Sequence, residues 1–328
     1  METCVSKIEK IRYPISEEMK KFEQFFKFYM KSKVPILDGI TNYIIRCNGK
    51  QMRPMFVFLS AKLSGEITPS TYVAASLIEL LHTASLIHDD VVDESNERRG
   101  SLSINALWKS KIAVLVGDFL LSKAVLTAVD NEEYGLLKIV SSAIREMVEG
   151  ELLQIQKSRT LNITQEEYFE IIRKKTAVLI AACTSSGTRS VCDDKEVISK
   201  MHLFGENVGI AFQIKDDIFD FQQDGKTGKP AGIDIKEKKL TLPLIYSLEN
   251  TSKSDKRNIL RMIDKHNKKS KTIKEVIDFV TQNKGIEYAC EKMAEYKNKA
   301  LKILSEFSGN AAKTSLIELV NYSTIRER

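Results

Sequence analysis

Hydrophobic residues recur every three or four positions along almost the whole chain, and strict alternation over the length of a strand is hard to find. One example is the stripe formed by Val73, Leu77, Leu81, Ala84 and His88, which share one face of a helix. The pattern therefore predicts an all-α protein.

Capping residues mark the places where several of these helices begin. Thr68 followed by Pro69 suits an N-cap with a first-turn proline, and Thr164 with Glu167 forms a capping box. With boundaries that are good to a few residues, we predict helices over 5–31, 35–47, 51–64, 69–93, 111–129, 134–158, 165–187, 195–221, 240–250, 255–266, 272–283, 286–306 and 311–323.

The amino-acid composition gives no indication of a boundary between domains. Its 328 residues include only 6 prolines and 15 glycines, and no linker-like segment interrupts the helical pattern. A chain of this length can bury one large core or two average ones. We therefore interpret residues 1–328 as one all-helical domain.

The five cysteines lack CxxC spacing and are odd in number, so neither a disulfide framework nor a zinc site is indicated. The N-terminus has no apolar signal core, and polar residues such as Glu79 and Asp118 interrupt the long apolar runs. We expect a soluble protein of the reducing cytoplasm.

The net charge of +6 is unevenly distributed, because residues 251–302 hold 14 Lys and Arg against 7 Asp and Glu. The Lys-rich segment 265–271 could contact anionic lipid or nucleic acid. It has no interleaved aromatic residues for base stacking, so a solvated turn between helices is the simpler interpretation. We expect no nucleic-acid partner and at most transient contact with a membrane surface.

Two aspartate clusters of identical spacing end two of the predicted helices: Asp89–Asp93 reads DDVVD and Asp216–Asp220 reads DDIFD. The first and last aspartates of each cluster share a helical face, and the second lies roughly 100° round the axis. Negative side chains are disfavoured at helix C-termini. A solvated acidic helix end is the plain alternative, but the preceding residues are strongly apolar in both cases. We therefore expect each cluster to offer two carboxylates to a cation.

The ligand type indicates which cation. Carboxylates without Cys or His pairs suit hard ions, and Mg²⁺ usually binds through one or two carboxylates, water and substrate phosphates. A phosphorylated substrate is implied. His88, beside Asp89, is better interpreted as a packed residue than as a ligand.

Basic residues lie near the acidic clusters in sequence. Lys50 and Arg53 stand three apart at a predicted helix start, which favours anions, and Arg98 and Arg99 follow the first cluster. Guanidinium groups match phosphate oxygens in bidentate fashion. Each pair alone could be solvated or bound to neighbouring acids, but together with the aspartates they favour a phosphate site.

Further short motifs occur between Gly49 and Leu248. In chain order the set is Gly49–Pro54, His82–Glu94, Arg98–Gly100, Val116–Leu120, Glu149–Glu151, Lys175–Ala177, Phe212–Asp217, Gly228–Lys229 and Lys239–Leu244. In these motifs the chain resembles the trans-isoprenyl diphosphate synthases, or polyprenyl synthetases. The resemblance implies the all-α isoprenoid synthase fold, with helices around a central catalytic cavity, and a homodimer.

The resemblance also implies roles for individual residues. Three Mg²⁺ ions would be held by Asp89, Asp90, Asp93, Asp216, Asp217 and Asp220. The allylic diphosphate would be contacted by Arg98, Lys175, Thr176, Gln213, Lys229 and Lys239, and the diphosphate of isopentenyl diphosphate by Lys50, Arg53, His82 and Arg99. The residues with direct catalytic roles would be Asp89, Asp93, Asp216 and Lys175.

The implied reaction is the head-to-tail (1′-4) condensation of isopentenyl diphosphate with an allylic diphosphate. Large aromatic residues four or five positions before the first cluster close the product tunnel early in the family, whereas this chain has Ala84 and Ser85. We therefore predict a long all-trans product of more than twenty carbons, used for a quinone side chain. A shorter-chain geranylgeranyl or farnesyl diphosphate synthase remains the alternative.

Two other classes of protein are also considered. A class I terpene cyclase usually carries Asn and Ser in its second metal motif, so the aspartates of 216–220 argue against it. A non-catalytic partner subunit tends to lose its acidic motifs, and both are complete here. The chain departs from the family pattern at Asn48, Gln51 and Lys238, which leaves the effect on substrate affinity open.

Overall fold

A computed structural model describes residues 4–47, 49–98, 100–222 and 232–324, with side chains from residue 7 onward. The described chain is almost entirely helical, which confirms the all-α prediction. The helices are α1 Cys4–Arg12, α2 Ser16–Met30, α3 Pro35–Arg46, α4 Met52–Ser64, α5 Pro69–Val92, α6 Ile104–Asp130, α7 Tyr134–Thr160, α8 Gln165–Ile172, α9 Val178–Arg189, α10 Lys195–Phe221, α11 Ile233–Lys236, α12 Leu242–Glu249, α13 Lys253–His266, α14 Ser270–Gln282, α15 Gly285–Ser305 and α16 Ala311–Thr324.

Two predicted helix starts are confirmed in detail. Thr68 caps α5 in a capping box with Thr71, and Pro69 occupies the first turn. The hydroxyl of Thr164 accepts a hydrogen bond from the backbone N–H of Glu167, whose side chain accepts one from the backbone N–H of Thr164. The local capping pattern was sufficient to place both helix starts.

Other boundaries were predicted wrongly. The single helix expected over 5–31 is broken by a 3₁₀ turn at Tyr13–Ile15, where Pro14 lacks the N–H that a helix interior needs. The helix expected to begin at 111 begins at Ile104 instead and contains the non-helical residue Lys109 (φ 72°, ψ 159°). The helix expected over 165–187 contains a π turn at Arg173–Ala177 and ends at Arg189.

The chain forms two compact units. The first comprises Met1–Ile144, Ala182–His202 and Phe307–Leu316, and the second comprises Arg145–Ala181, Leu203–Glu306 and Ile317–Arg328. We describe each unit by itself. The expectation of a single domain stays a prediction.

In the first unit, α5 lies against α6. The two helices approach closely at Gly117, because a Cβ atom there would stand only 2.1 Å from His88 Nε2. His88 is therefore a packed residue, as expected. Apolar rings fill the core near the N-terminal helices, where Phe22 lies 5.8 Å from Phe58 between ring centroids. Both rings are fully buried.

In the second unit, α10 presents Ile210, Ile214 and Ile218 to an apolar cluster that also contains Leu242 and Ile245 of α12. Burial of each such side chain contributes about 1.5–3 kcal/mol to stability. Because these isoleucines anchor one face of α10, the aspartates near its end have fixed directions relative to the core.

Helices α5 and α6 are long and apolar enough to cross a membrane by length and composition alone. The apolar window of α5 is 72% buried within the protein, and that of α6 is 39% buried. Core helices of soluble proteins pass the same test, so α5 is accounted for by its packing. The exposed apolar surface of α6 needs another explanation.

Candidate active site

The first aspartate cluster occupies the last turn of α5, and Asp93 is the C-cap residue, as the sequence predicts. Asp89 and Asp93 are exposed, whereas Asp90 is only 2% exposed. The buried carboxylate is charge-compensated: Asp90 Oδ1 accepts hydrogen bonds from Arg98 Nε at 2.8 Å and Nη2 at 2.7 Å. Contacts between a guanidinium group and a carboxylate are among the strong charge-assisted hydrogen bonds.

A short hairpin holds Arg98 in place. Strand β1 (Glu97–Arg98) pairs antiparallel with β2 (Ser101–Leu102), and Gly100 makes the turn with φ of 75°. That conformation favours glycine. The hairpin was not predicted from the sequence. Arg99, predicted to bind substrate, lies outside the described residues.

The predicted residues His82 and Arg98 line one cavity of about 80 Å³ in the first unit, together with Asp90 and the buried Glu79. Lys50 and Arg53 do not line this cavity. Lys50 is exposed just before α4.

Gln51, which departs from the family pattern, has a left-handed backbone (φ 51°, ψ 41°) at the N-cap of α4. Its side-chain oxygen accepts a hydrogen bond from Arg12 Nη2 at 2.7 Å. A cationic group from α1 therefore stands beside the position where the family usually has a basic residue. The positive charge beside the predicted motif at 49–54 therefore belongs to Arg12, which lies 39 positions before Gln51 in the sequence.

The second cluster lies in the last turns of α10 and repeats the burial of the first two aspartates of the first cluster, whereas its third, Asp220, is half-buried and Asp93 is exposed. Asp216 is exposed and Asp217 is only 5% exposed. The buried carboxylate of Asp217 is held by neutral donors: Tyr168 donates its hydroxyl proton to Oδ2 at 2.6 Å, and Gln213 Nε2 donates to Oδ1 at 2.8 Å. Burial and the nearby Asp234 carboxylate raise the pKa of Asp217 to about 8.

Asp220 is hydrogen-bonded to the segment that follows the undescribed residues 223–231. Its two carboxylate oxygens accept hydrogen bonds from the backbone N–H groups of Ile233 at 2.8 Å and Asp234 at 3.0 Å. Burial raises the pKa of Asp220, and burial together with the charge of Asp220 raises the pKa of Asp234 to about 7. Burial is the first cause in each case, so a cation that bound these carboxylates would favour their ionised form.

The predicted residues Lys175 and Thr176 lie in the π turn that separates α8 from α9. Such turns shift the side-chain register inside a helix and often occur at functional sites. Lys175 Nζ donates to Gln154 Oε1 at 2.6 Å and pairs with Glu151 Oε2 at 2.5 Å. Thr176 Oγ1 donates to Gln213 Oε1 at 2.7 Å. The π turn is therefore connected to the second aspartate cluster through Gln213.

Gly150 explains how α7 approaches the π turn. A Cβ atom at this position would stand 2.8 Å from Lys174 Cβ and 2.9 Å from the backbone nitrogen of Lys175. Any larger residue would push the two segments apart. The glycine in the Glu149–Glu151 motif is required for close backbone approach.

One cavity of about 110 Å³ in the second unit brings five predicted residues together with residues that were not predicted. The predicted ones are Lys175, Thr176, Gln213, Asp217 and Lys239. Lys239 pairs with Glu237 at 2.5 Å. Lys229, also predicted to bind substrate, lies outside the described residues.

Three residues of this cavity were missed by the sequence analysis: Tyr168, Asp234 and Gln154. Tyr168 occupies an apolar-face position of α8, so its hydroxyl gave no signal, and it lies 49 residues from its partner Asp217. Asp234 follows the Gly228–Lys229 motif closely, and its proximity to that motif was the one available signal.

The described residues contain no group of three or more His, Cys, Asp or Glu side chains placed to hold an ion by themselves. The first cluster offers the exposed carboxylates of Asp89 and Asp93 and the second that of Asp216, with further ligands left to phosphate oxygens and water. Mg²⁺ favours this kind of site. The donor set therefore fits a divalent cation.

The predicted chain-length residues lie one turn before the first cluster on α5. Ala84 is fully buried and Ser85 is half-buried. Both are small.

Comparison with known proteins gives consistent matches. A profile of the family described as Polyprenyl synthetase matches residues 34–280. An all-trans-nonaprenyl-diphosphate synthase (geranyl-diphosphate specific) of Rhodobacter capsulatus is 34% identical over 315 residues, which span 95% of this chain and 96% of that protein.

Two solved structures match over nearly their full lengths. A polyprenyl synthase of Caulobacter crescentus CB15, complexed with calcium and isoprenyl diphosphate, has a TM-score of 0.88 and 30% identity over 98% of each chain. A geranylgeranyl pyrophosphate synthase of Bacteroides thetaiotaomicron has a TM-score of 0.83 and 37% identity over 98% of this chain and 99% of that one. The isoprenoid synthase fold predicted from the motifs is confirmed. Some of these proteins are named for a long product, such as nonaprenyl diphosphate, and others for a shorter one, such as geranylgeranyl pyrophosphate.

Proposed function

This chain belongs to the polyprenyl synthetase family, and we propose that its two aspartate clusters serve one allylic diphosphate through three Mg²⁺ ions. It is a trans-polyprenyl diphosphate synthase, a transferase that lengthens a prenyl chain. The observation that carries the proposal is the pair of clusters with one spacing, each of which combines an exposed first aspartate, Asp89 or Asp216, with a buried, hydrogen-bonded second one, Asp90 or Asp217. The sharing of one diphosphate by both clusters follows from the family resemblance.

The bound ions would be held by Asp89 and Asp93 of α5 and by Asp216 of α10, and they would supply the positive charge that stabilises the departing diphosphate. Asp217 accepts hydrogen bonds through both of its oxygens, so it orients its neighbours. Gln213 carries that orientation to Thr176, and Lys175 extends into the same cavity. Prearranged charge of this kind is usually the largest contribution to such a reaction.

The bond changes require no protein nucleophile. The allylic C–O bond ionises, the double bond of isopentenyl diphosphate attacks the resulting cation, and loss of a proton gives a product that is one unit longer. Arg98 and His82 line the cavity beside Asp90 and would hold diphosphate oxygens. The departing diphosphate is the base that takes the proton. Apolar residues of that cavity, such as Leu86 and Ile87, would exclude water from the cation.

We propose a long-chain product of more than twenty carbons, which would serve as a quinone side-chain precursor. The small side chains of Ala84 and Ser85 support this length, because they leave room one turn before the metal-binding carboxylates. Each buried CH₂ group of the tail adds about 0.8 kcal/mol to binding, so a growing chain is readily retained.

Changing Ala84→Phe tests the length. We expect the main product to shorten to about twenty carbons or fewer, because the new ring would block the path of the tail. The extracted product is dephosphorylated and separated by reversed-phase chromatography. Leu107→Phe, at an exposed position of α6, is the control and should leave the product unchanged. An unaltered product from Ala84→Phe would contradict the tunnel assignment.

Turnover by the purified chain alone tests the reaction class. With isopentenyl diphosphate, an allylic starter and Mg²⁺, we expect linear products that grow by five-carbon units. Cyclic hydrocarbons formed without isopentenyl diphosphate would indicate a terpene cyclase. Absence of turnover until a second protein is added would indicate a partner subunit.

We also propose a cytoplasmic homodimer that binds these small substrates and no nucleic acid. The support is the exposed apolar side of α6, where Leu115, Val125, Leu126 and Val129 are 40–56% exposed. Apolar patches of this kind mark interfaces in soluble proteins. Because a two-fold contact uses the same patch on both copies, one helix face is sufficient. Sedimentation velocity should give twice the chain mass.

A further inference from the structure

The turn between α2 and α3 combines exposed apolar side chains with unpaired lysines. Phe28 is 70% exposed, Val34 is 53% exposed and Ile36 is 54% exposed. Lys27, Lys31 and Lys33 alternate with them and are all exposed. We propose that these six residues, the α2–α3 patch, bind the surface of a bilayer that contains anionic lipid.

The charge of the patch supports a lipid partner. In the part of the chain that the structure describes, the ammonium groups of Lys27, Lys31 and Lys33 make no ion pair or hydrogen bond. No acidic residue occurs between 27 and 37. Lysines that flank exposed aromatic and aliphatic side chains are typical of protein segments that lie in the interface of a bilayer. There the lysines contact lipid phosphates and the apolar groups enter the acyl boundary.

A second copy of this chain fits the patch less well. A two-fold contact would place the same three lysines of each copy against one another, and like charges at an interface oppose association. The apolar side of α6 has the opposite character, since Leu115, Val125, Leu126 and Val129 are uncharged neighbours on one helix. The two exposed surfaces therefore suit different partners.

The α2–α3 patch lies near the start of α5, within the first unit. Phe25 of α2 lies 6.0 Å from Tyr72 between ring centroids, and Tyr72 is in the first turn of α5. Tyr29 accepts a hydrogen bond from Asn131, which directly follows α6, at 3.3 Å. Asp89 lies 17 residues further along α5 than Tyr72, which corresponds to about 25 Å. The patch is therefore at the end of the unit opposite the aspartates.

A product that grows along α5 away from Asp89 carries its apolar tail toward that end. A bilayer bound at the patch would receive the tail while the diphosphate is still held at the other end of the helix. This use depends on the proposed chain elongation. The binding of lipid does not, so the two can fail separately.

Cosedimentation of the full-length protein with vesicles tests the proposal without any substrate. We expect binding to vesicles of phosphatidylcholine with 30% phosphatidylglycerol and little binding to phosphatidylcholine alone. The Lys27→Gln, Lys31→Gln, Lys33→Gln triple variant should bind about a hundredfold more weakly, because each lysine near an anionic surface contributes about fivefold. The Phe28→Ser, Val34→Ser, Ile36→Ser variant should bind at least about tenfold more weakly.

A matched control carries Lys265→Gln, Lys268→Gln and Lys269→Gln, which remove the same charge from the other Lys-rich turn. It should bind within about twofold of the wild type. Circular dichroism and sedimentation velocity of every variant establish that fold and oligomeric state are retained. Absence of binding to anionic vesicles, or equal losses in the control and the patch variants, would overturn the proposal. So would a patch variant that loses its oligomeric state and still binds vesicles, since the patch would then join two copies of the chain.

Discussion

The aspartate clusters that end α5 and α10 share one spacing and a buried second aspartate, but that aspartate is held in different ways in the two clusters. The buried Asp90 is paired with the guanidinium group of Arg98, whereas the buried Asp217 accepts hydrogen bonds, among the described residues, only from the neutral Tyr168 and Gln213. One cluster therefore carries its own counter-charge. The other holds its buried carboxyl group with neutral donors, so its pKa is raised to about 8 and a bound metal ion would favour its ionised form.

We infer from this difference that the two clusters have separate tasks in the proposed reaction. A carboxylate that is already paired with arginine has a fixed direction before any ligand binds. The geometry of the cluster on α5 is therefore set in advance. A carboxylate whose pKa is raised to about 8 changes its charge state readily when a cation binds. We infer that the α10 cluster is the more sensitive of the two to the metal.

The largest expected effect comes from the exposed aspartates. Asp89→Ala and Asp216→Ala should each reduce kcat at least about a thousandfold, because each removes a carboxylate that holds charge at the leaving diphosphate. Incorporation of labelled isopentenyl diphosphate measures the loss. Asp264→Ala, in an exposed pair with Lys238, is the control and should have near-normal activity. If only one cluster proves essential, the two do not serve one reaction.

An intermediate effect is expected from Tyr168→Phe. The variant removes the hydroxyl group that donates to Asp217, and a hydrogen bond to a charged group is worth about 1.5–3 kcal/mol, so kcat/KM should fall roughly tenfold to a hundredfold. The Mg²⁺ concentration for half-maximal rate should also rise, which a purely structural role would not cause.

Tyr288→Phe provides the matched control in the same unit, since its hydroxyl group donates to Gln165 rather than to an aspartate. It should leave both kcat/KM and the Mg²⁺ requirement close to the wild-type values. Equal losses in the two variants would mean that Tyr168 acts through packing alone.

The smallest effects are on stability, and they should have opposite signs at the two clusters. Arg98→Gln leaves Asp90 buried without its partner and should lower the free energy of unfolding by roughly 2–3 kcal/mol. Asp217→Asn should raise it by about 1 kcal/mol at pH 8 with a chelator present, because the folded state no longer buries a charge. Chemical denaturation measures both.

The sign for Asp217 follows from its raised pKa. Its contribution to stability is fully present below its unfolded pKa, near 4, and is lost as the pH rises through about 8. Asp217→Asn should therefore flatten the pH dependence between these limits. As a control, Lys238→Gln disrupts an exposed pair and should change stability by less than about 1 kcal/mol. A loss of stability in Asp217→Asn at pH 8 would contradict the raised pKa of Asp217.

Local patterns were sufficient to predict much of the fold and of the site. Capping residues placed the starts of α5 and α8, and the apolar period placed α10 over 195–221 as observed. The burial difference between Asp89 and Asp90 follows from the helical period alone. These features depend on residues within a few positions of one another.

The rest depends on contacts between distant residues. No local pattern indicates that Tyr168 contacts Asp217, or that Arg12 contacts Gln51 across 39 positions. The π turn at Arg173–Ala177 has a helical pattern and lacks any breaking residue. Arg98 could pair with Asp90 or with an acid nearer in sequence, and only the geometry of the hairpin shows that its partner is Asp90. Tertiary contacts decided each of these cases.

The central claim is that carboxylates of both clusters bind ions on the same diphosphate. A crystal grown with Mn²⁺ and an unreactive allylic thiodiphosphate tests it directly, because anomalous scattering locates each Mn²⁺. We predict ions ligated by Asp89 and Asp93 and by Asp216, all bound to oxygens of one diphosphate. Two separate diphosphates, or a cluster without an ion, would contradict the account.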